Sequence, residues 1–244
     1  VCFGAESAPR GKATFDAHCA VCHGVTGDGQ SLEAPRFFTR PADLTRGIFK
    51  FRSTPSGSLP TAQDLERTIR RGLPGSGMTA QDHLSDVQIR EVIGYLKTLS
   101  PRWAKSPPPT PISIVRPANI ESLIAKGADL FKKAGCPECH GASGRGDGPS
   151  AGTLTSGGRP TRPADLTRRP LKGGDQPEDI YRALAVGLDG TPMPSYRDAL
   201  EEEDIWALAV YVTRLAALGA QPVLTDDERI GREVEAMHQP GRRR

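Results

Sequence analysis

The motif Cys-x-x-Cys-His occurs twice in this chain of 244 residues, once in each half. The first copy is "CAVCHG" at 19–24, and the second is "CPECHG" at 136–141. The heptad "RPADLTR" is also present twice, letter for letter, at 40–46 and 162–168. Repeats of this kind indicate that one structural unit has been duplicated. The chain is therefore predicted to fold into two similar units, each built around one cysteine motif.

Other stretches pair up between the halves in the same order. They comprise a glycine and a phenylalanine before the motif, a glycine-rich triplet after it, a segment leading to a methionine, and a closing segment. The pairs are "GKATF" (11–15) with "GADLF" (127–131), "GDG" (27–29) with "GDG" (146–148), "DLERTIRRGLPGSGM" (64–78) with "DIYRALAVGLDGTPM" (179–193), and "LSDVQIREVIGYLKTL" (84–99) with "LEEEDIWALAVYVTRL" (200–215). The two halves are predicted to share one architecture.

A proline-rich stretch, "PRWAKSPPPTPISIVRPAN" at 101–119, separates the copies. Its prolines disfavour helix and favour an extended, semi-rigid spacer. Because few contacts usually cross such a linker, we expect the two domains to fold independently. The predicted division is a first domain at 1–100, a linker at 101–118, a second domain at 119–220 and a polar tail at 221–244.

Each copy has the pattern of a helix, a long loop, a short helix, a loop and a closing helix, so the predicted fold is all-α. Apolar residues recur at helical spacing in both closing segments. Ser85 and Asp86 are candidate N-caps of the first closing helix. The acidic run "EEED" at 201–204 suits the first turn of the second, because the helix dipole favours negative charge there. A docking patch for a partner is the alternative interpretation of this run.

The composition argues against two broad classes of protein. The formal net charge is +3, and no segment has the dense basic face of a nucleic-acid binder. No apolar run approaches the roughly 18 residues of a membrane span. Hydrophobic residues make up only 36% of the chain, so we expect a bound group to supply part of each core. The chain begins at Val1, so we expect a precursor segment to be missing, and Cys2 is a candidate for lipidation.

The spacing of the cysteine motif is typical of covalent haem attachment. Thiols at i and i+3 near the end of a helix can add to the two vinyl groups of one haem, and the following histidine then ligates the iron. A thioredoxin-like redox pair lacks its βαβ context here, and a zinc site would require side chains of both copies to converge. Two covalently attached haem c groups are predicted. Their attachment residues and iron ligands would be Cys19, Cys22 and His23 in the first copy, and Cys136, Cys139 and His140 in the second.

Each iron also needs a sixth ligand or an open position. Met78 and Met193 stand at equivalent places in the repeat, in loops rich in glycine and proline where a core methionine is rare. Methionine opposite histidine gives low-spin iron with a raised reduction potential. These two methionines are the predicted sixth ligands, and His83, five residues beyond Met78, is the competing ligand in the first domain.

Taken together, these features resemble class I cytochrome c over about 1–100 and 119–220. The resemblance rests on the two "CxxCHG" motifs, the residues that flank them, a loop methionine and a closing helix with a tyrosine. It implies two tandem all-α domains, each wrapped round a covalent haem, with the first and last helices crossing beside it. It also implies that the small residues Gly11 and Gly127 permit that crossing.

The resemblance assigns further roles. In the family a proline carbonyl steadies the haem histidine, and the expected residues are Pro35 in the first copy and Pro160 in the second. Most members also have a proline after the methionine and then an aromatic residue two positions later. "MPSY" at 193–196 has this pattern, whereas "MTAQ" at 78–81 departs from it.

The repeated heptad lies where such domains wrap the haem edge. Leu44 and Leu166 are predicted to cover the porphyrin. The arginines of the heptad are candidates to pair with haem propionates, since a guanidinium binds a carboxylate in a bidentate manner. The alternative is a structural turn that begins with proline and is capped by Asp and Thr.

We therefore predict a di-haem c-type cytochrome that passes single electrons between respiratory redox partners in the periplasm or another extracytoplasmic compartment. Its partners would be redox proteins, with a membrane respiratory complex as one candidate, and neither nucleic acid nor a small-molecule substrate is expected. It would act as a free carrier or as a subunit of a larger oxidoreductase. The alternative is a di-haem enzyme, such as a cytochrome c peroxidase or a thiosulfate-oxidising cytochrome, but the matched methionines argue against the open haem that such an enzyme needs.

Overall fold

The computed structural model describes residues 7–156 and 158–219. Cys2 and the tail at 221–244, with Met237 and His238, lie outside the described residues. In the described residues the regular elements are helices, apart from one pair of two-residue strands, so the all-α prediction is confirmed. None of its described helices is long and apolar enough to cross a membrane.

Four helices and two 3-10 turns form the body of the first domain. The helices are α1 Ser7–His18, α2 Ala20–His23, α3 Ala62–Arg71 and α4 Asp86–Thr98, and the turns are Ala34–Arg36 and Leu44–Arg46. A further helical turn, α5 Arg102–Lys105, follows α4. Trp103 of α5 packs against the core of this domain, so the start of the proline-rich stretch takes part in the first domain's packing.

The second domain repeats this order. Its elements are the 3-10 turn Ile120–Leu123, then α6 Ile124–Lys133, α7 Cys136–His140, α8 Pro177–Val186 and α9 Glu202–Gly219. Strands β1 Thr155–Ser156 and β2 Arg159–Pro160 pair antiparallel in the long loop between α7 and α8. This ribbon lies in the part of the loop that the first domain lacks.

The first and last helices of each domain cross at a glycine. A Cβ atom on Gly11 would lie 2.1 Å from the carbonyl oxygen of Glu91, and one on Gly127 would lie 2.0 Å from that of Ala207. Atoms at such separations would overlap, so only glycine lets the helices approach this closely. The role that the resemblance implied for these two glycines is confirmed.

Side chains at the starts of α4 and α9 satisfy or stabilise the helix ends. Ser85 caps α4 and forms a reciprocal capping box with Gln88, which leaves fewer backbone N–H groups of the first turn unpaired. In α9, Glu203 and Asp204 each lie 2.6 Å from the ammonium of Lys126 in α6. The acidic run therefore occupies the first turn of α9, as predicted, and also ties that helix to α6.

The linker is extended, yet it contacts both domains. The backbone N–H of Ile112 donates to the carbonyl of Ser53 at 2.8 Å, while Ile112 and Ile114 pack against the core of the second domain. The domains also meet directly, since the guanidinium of Arg52 lies 2.7 Å from the carboxylate of Asp189. These contacts weaken the basis for expecting the domains to fold independently.

Candidate haem sites

In each domain the cysteine motif forms a short helix directly after the first long helix. The N–H of Cys19 donates to the carbonyl of Phe15 at 2.8 Å, and the N–H of His23 donates to the carbonyl of Cys19 at 2.9 Å. Residues three and four apart on a helix are neighbours on one face. The backbone of the first motif therefore turns Cys22 and His23 toward the side of Cys19, and α7 does the same for the second motif.

A backbone carbonyl of the repeated heptad holds each motif histidine. Nδ1 of His23 lies 3.0 Å from the carbonyl oxygen of Ala42, and Nδ1 of His140 lies 3.0 Å from that of Ala164. Because a carbonyl can only accept, Nδ1 carries the proton and Nε2 keeps its lone pair for a metal. Burial lowers the pKa of both histidines, while the carbonyl contact opposes that shift. The net effect favours the neutral imidazole, which is the form that binds metal.

The expectation that Pro35 and Pro160 supply these carbonyls is wrong. Pro35 lies exposed in the 3-10 turn Ala34–Arg36, and Pro160 ends the β-ribbon. The carbonyl comes from the residue after the heptad's own proline, because that part of the loop runs alongside the histidine ring. In the sequence, the letter-for-letter repetition of the heptad was the one signal that pointed to this stretch.

The heptad is anchored to the cysteine motif on its other side as well. The N–H of Leu44 donates to the carbonyl of Gly27 at 2.7 Å, and the carboxylate of Asp43 accepts from the N–H of Thr45 at 3.0 Å. Leu44 is buried within the first core. The interpretation of the heptad as a capped turn is confirmed, while the pairing of its arginines with propionates stays a prediction. The second heptad repeats these features with Leu166, Gly144, Asp165 and Thr167.

The two "GDG" triplets do not occupy equivalent positions. Gly29, which ends the first triplet, has a φ of 73° and packs so closely that a Cβ would lie 2.7 Å from the carbonyl oxygen of Pro41. Its structural counterpart is Gly146, which begins the second triplet, with a φ of 77° and a corresponding distance of 2.9 Å from Pro163. The pairing of the triplets was therefore wrong by two residues, because the close backbone approach that requires glycine falls on the last residue of one triplet and the first of the other.

The geometry also bears on the two alternative uses of the cysteines. None of the four motif cysteines is paired in a disulfide. Burial, and secondarily the neighbouring Cys22, raises the pKa of Cys19 to about 11, and burial raises the pKa of Cys136. A redox pair instead needs a lowered thiol pKa. Within the described residues no three His, Cys, Asp or Glu side chains are grouped to hold a metal ion, so the convergence that a zinc site would need is not found there.

The two methionine loops have the same internal hydrogen bonds. In the first, the N–H of Leu73 donates to the carbonyl of Met78 at 2.9 Å. The hydroxyl of Ser76 donates to the carbonyl of Leu73 at 2.6 Å and accepts from the N–H of Met78 at 3.3 Å. The second loop repeats these contacts with Leu188, Thr191 and Met193 at 3.1, 2.7 and 3.2 Å. The departure of "MTAQ" from the family pattern therefore leaves the loop's backbone unchanged.

What differs is the side chain that follows each methionine. Tyr196 packs against the same apolar core as Cys136 and Met193. Burial, followed by the charge and hydrogen bond of Cys136, raises the pKa of Tyr196 to about 12. Gln81 stands at the equivalent place in the first domain and offers no ring. His83, the competing ligand, is exposed, and its ring centroid lies 5.3 Å from that of His18.

These arrangements fit a covalently bound haem in each domain. Direct contacts bring the histidine of the motif and the heptad together in both copies, and Tyr196 joins the second methionine loop to Cys136. The spacing of the paired cysteines suits thioether bonds, and the fixed imidazoles leave Nε2 for iron.

Comparison with known proteins agrees with this chemistry. The family model for cytochrome c matches residues 8–100 and again 124–216. The cbb3-type cytochrome c oxidase subunit CcoP of Azospirillum sp. (strain B510) is 29% identical over 211 residues, which are 84% of this chain and 61% of that protein. The corresponding subunit FixP of Azorhizobium caulinodans is 27% identical over 214 residues, with 84% and 58% covered. The chain thus spans about three fifths of the length of these curated relatives.

Among solved structures, a chain of the reducing HAO-like protein complex of Kuenenia stuttgartiensis is 39% identical to this one. The two superpose with a TM-score of 0.80 over 84% of this chain and 95% of that chain. Two cytochrome c domains correspond to two covalently attached haem c groups, one in each half. The chain therefore belongs to the cytochrome c family and contains two of its domains in tandem.

Proposed function

We propose that this protein is a di-haem c-type cytochrome that passes single electrons between respiratory redox partners. The observation that carries the proposal is the repetition, in both domains, of one histidine–carbonyl contact and one methionine loop. A histidine and a methionine together fill both axial positions of a haem iron, and this ligand pair suits electron transfer.

In this proposal every chemical role occurs twice. The cysteines would form the thioethers, and the histidines and methionines would ligate the two irons. The residues in these roles are Cys19, Cys22, His23 and Met78 in the first domain, and Cys136, Cys139, His140 and Met193 in the second.

The haem supplies a one-electron iron couple whose potential depends on its ligands and surroundings. The protein's part is to hold the ligands. By accepting from Nδ1, the carbonyls of Ala42 and Ala164 fix the imidazole orientation and increase the basicity of Nε2. The side chains of Leu44 and Leu166, two residues after these carbonyls, are buried and belong to the apolar cores of the two domains.

The relatives support action within a larger assembly. Two are named as subunits of a cbb3-type cytochrome c oxidase, and one structure is a protein complex. We infer redox-protein partners, with a membrane respiratory complex as one candidate, and an extracytoplasmic location such as the periplasm. The enzymatic alternative needs an open iron position, and the matched methionine loops favour electron transfer over it.

Haem content and axial ligation test the proposal. Purified protein should retain two haems per chain after acid-acetone extraction, because thioethers survive that treatment. The double substitutions Cys19→Ala with Cys22→Ala, and Cys136→Ala with Cys139→Ala, should each remove one covalent haem. Extractable haem, or one haem per chain, would contradict the attachment residues.

Optical and EPR spectra of both oxidation states report the ligands. Two low-spin irons with a methionine-to-iron absorption band are expected, and Met78→Ala and Met193→Ala should each remove one iron's share of that band. A high-spin iron with an open position in the native protein would favour the enzymatic alternative instead.

A further inference from the structure

Arg52 is a fully buried arginine in the contact between the domains. Its side chain has 0% exposure, and it lies in the loop before α3, where the first domain has residues that the second lacks. Within its own domain it donates from Nε to the carbonyl of Pro55 at 3.3 Å and from Nη1 to that of Phe49 at 3.4 Å. The remaining donors point into the second domain.

Those donors bind the segment that leads to Met193. Nη2 of Arg52 donates to the carbonyl of Val186 at 2.8 Å and to the carboxylate of Asp189 at 2.7 Å, and Nη1 donates to the carbonyl of Gly187 at 3.4 Å. With the two contacts inside the first domain, these three account for the five N–H groups that a guanidinium has.

Asp189 is held from the first domain by more than Arg52. One of its oxygens accepts from the hydroxyl of Ser56 at 2.9 Å, and the other accepts from the N–H of Gly57 at 2.9 Å. The loop of the first domain that contains Arg52 thus binds the second methionine loop through the guanidinium of Arg52 and through the neutral donors of Ser56 and Gly57.

The first methionine loop has no carboxylate at the position of Asp189 to accept such hydrogen bonds. Pro74 stands where the second loop has Asp189, in otherwise matching hydrogen-bonded turns. A proline side chain offers no oxygen for a guanidinium. The internal hydrogen bonds of the two loops are the same, so the contacts with Arg52, Ser56 and Gly57 are a difference in how the second loop is held from outside.

We propose that Arg52 is a positioning residue for the second haem: from the first domain, it holds the loop that keeps Met193 on the iron. The proposal rests on the proposed function, in which Met193 is an axial ligand. It makes the strength of the second haem's methionine ligation dependent on the first domain, although no residue of the first domain ligates that iron.

The physical reason is that the hydrogen bonds of Arg52 restrict the movement of the loop of Met193. If the loop is to swing Met193 away from the iron, it must break contacts to a buried charge, and an uncompensated buried charge is costly. Lysine retains the charge but has a single ammonium without the planar fork, so it cannot bridge the two domains in the same way.

Imidazole competition measures this dependence in the holoprotein. In a Met78→Ala background the methionine-to-iron band reports the second haem alone. There, Arg52→Met should lower the imidazole concentration for half-displacement by about tenfold, since a buried partner is lost. Arg52→Lys should lower it by about threefold. Arg182→Met is the matched control. It removes the part-buried ion pair of Arg182 with Asp179 in the second domain, and this pair does not contact the loop of Met193.

A second background separates positioning from damage to the first domain. In Met193→Ala protein the band reports the first haem, and Arg52→Met should leave its imidazole titration within about twofold of the parent. Should Arg52→Met not fold, Asp189→Asn takes its place, because it keeps the carbonyl contacts of Arg52 and weakens those that the Asp189 carboxylate makes with Arg52, Ser56 and Gly57. Hydrogen exchange of the amides at 187–193 should then be faster than in the parent.

The outcomes distinguish this proposal from the proposed function. If the band persists when both Met78 and Met193 are alanine, the ligand assignment itself is wrong. If Met193→Ala removes the band that remains in Met78→Ala protein, but Arg52→Met and Asp189→Asn leave both the titration and the exchange unchanged, the ligand assignment stands and the positioning role is overturned.

Discussion

At the scale of single residues, Asp64 is a buried carboxylate that organises the start of α3. Its Oδ2 accepts from the N–H groups of Ser53 and Thr61, each at 2.9 Å, and its Oδ1 accepts from Arg67 at 2.6 Å. Burial alone would raise the pKa of Asp64, but these bonds outweigh it and hold the pKa below its ordinary value of 3.8. The ionised form is therefore the one that the fold stabilises.

We predict that Asp64→Asn destabilises the first domain by roughly 1–3 kcal/mol at pH 7, because an amide nitrogen would face donors. A lowered carboxylate pKa contributes stability that is present above the unfolded-state pKa and is lost as the pH falls through the folded-state pKa. The difference between wild type and variant should therefore be constant from neutral pH down to about 5 and shrink below about 4. Thermal unfolding at several pH values measures it.

The exposed residue Asp82 provides the control for that measurement. Asp82→Asn should leave stability within about 0.5 kcal/mol at every pH, as for most surface substitutions. If Asp64→Asn shows a penalty that is the same at pH 3 as at pH 7, the carboxylate charge is not what the site stabilises.

The sequence allowed the ligand residues, which stay predictions, to be proposed, but it did not allow their supports to be found. Covalent attachment demands a fixed spacing, so His23 and His140 could be proposed as ligands from the motif alone. No sequence pattern identifies the carbonyl that accepts from each histidine, because every residue has a carbonyl. Arg52 and Asp189 lie 137 residues apart, and a charged residue in a loop rich in Gly, Pro and Ser is usually exposed, so their pairing could not be predicted.

At the scale of elements, the helix crossing is the feature most sensitive to one methyl group. We predict that Gly11→Ala destabilises the first domain by about 1–3 kcal/mol or more, since the Cβ would overlap the backbone of α4 at Glu91. A Cβ on Gly94 in the same α4 would meet no atom within 4 Å. Gly94→Ala should therefore stabilise the domain by about 0.5–1 kcal/mol through helix propensity. Chemical denaturation of the two variants tests the contrast, and a loss of stability in both would show that the crossing is not the cause.

The methionine loops should differ in strength in the wild-type protein. Met193 lies between Pro192 and Pro194, which restrict the backbone on both sides, whereas Met78 follows Gly77. We predict that imidazole displaces methionine from the first haem at the lower concentration. Comparing Met78→Ala with Met193→Ala identifies which haem responds. If imidazole displaces the methionine of the second haem at the lower concentration, neither the prolines nor the contacts of Arg52 determine how strongly methionine binds the iron.

Whole helices were easier to predict than the loops between them. In α4 and α9 the apolar residues recur at helical spacing because these helices pack against α1 and α6. This periodicity is visible in the sequence, so both helices could be predicted. The loops depend on contacts across the chain, and this is why the "GDG" triplets were paired two residues out of register. The extra residues of the first domain around Arg52 contact the second domain through Arg52, Ser56 and Gly57.

At the scale of the whole molecule, the contact made by Arg52 should make the two domains unfold together. Breaking a buried ion pair costs about 3–5 kcal/mol, which is a large part of the roughly 5–15 kcal/mol that stabilises a typical domain. Each domain therefore loses much of its free energy of unfolding once the other domain has unfolded. We predict one calorimetric transition for the wild-type holoprotein and two for Arg52→Met, with Arg182→Met retaining one. Two separate transitions already in the wild type would mean that the linker, and not the contact, governs how the domains behave, as the proline-rich sequence first led us to expect.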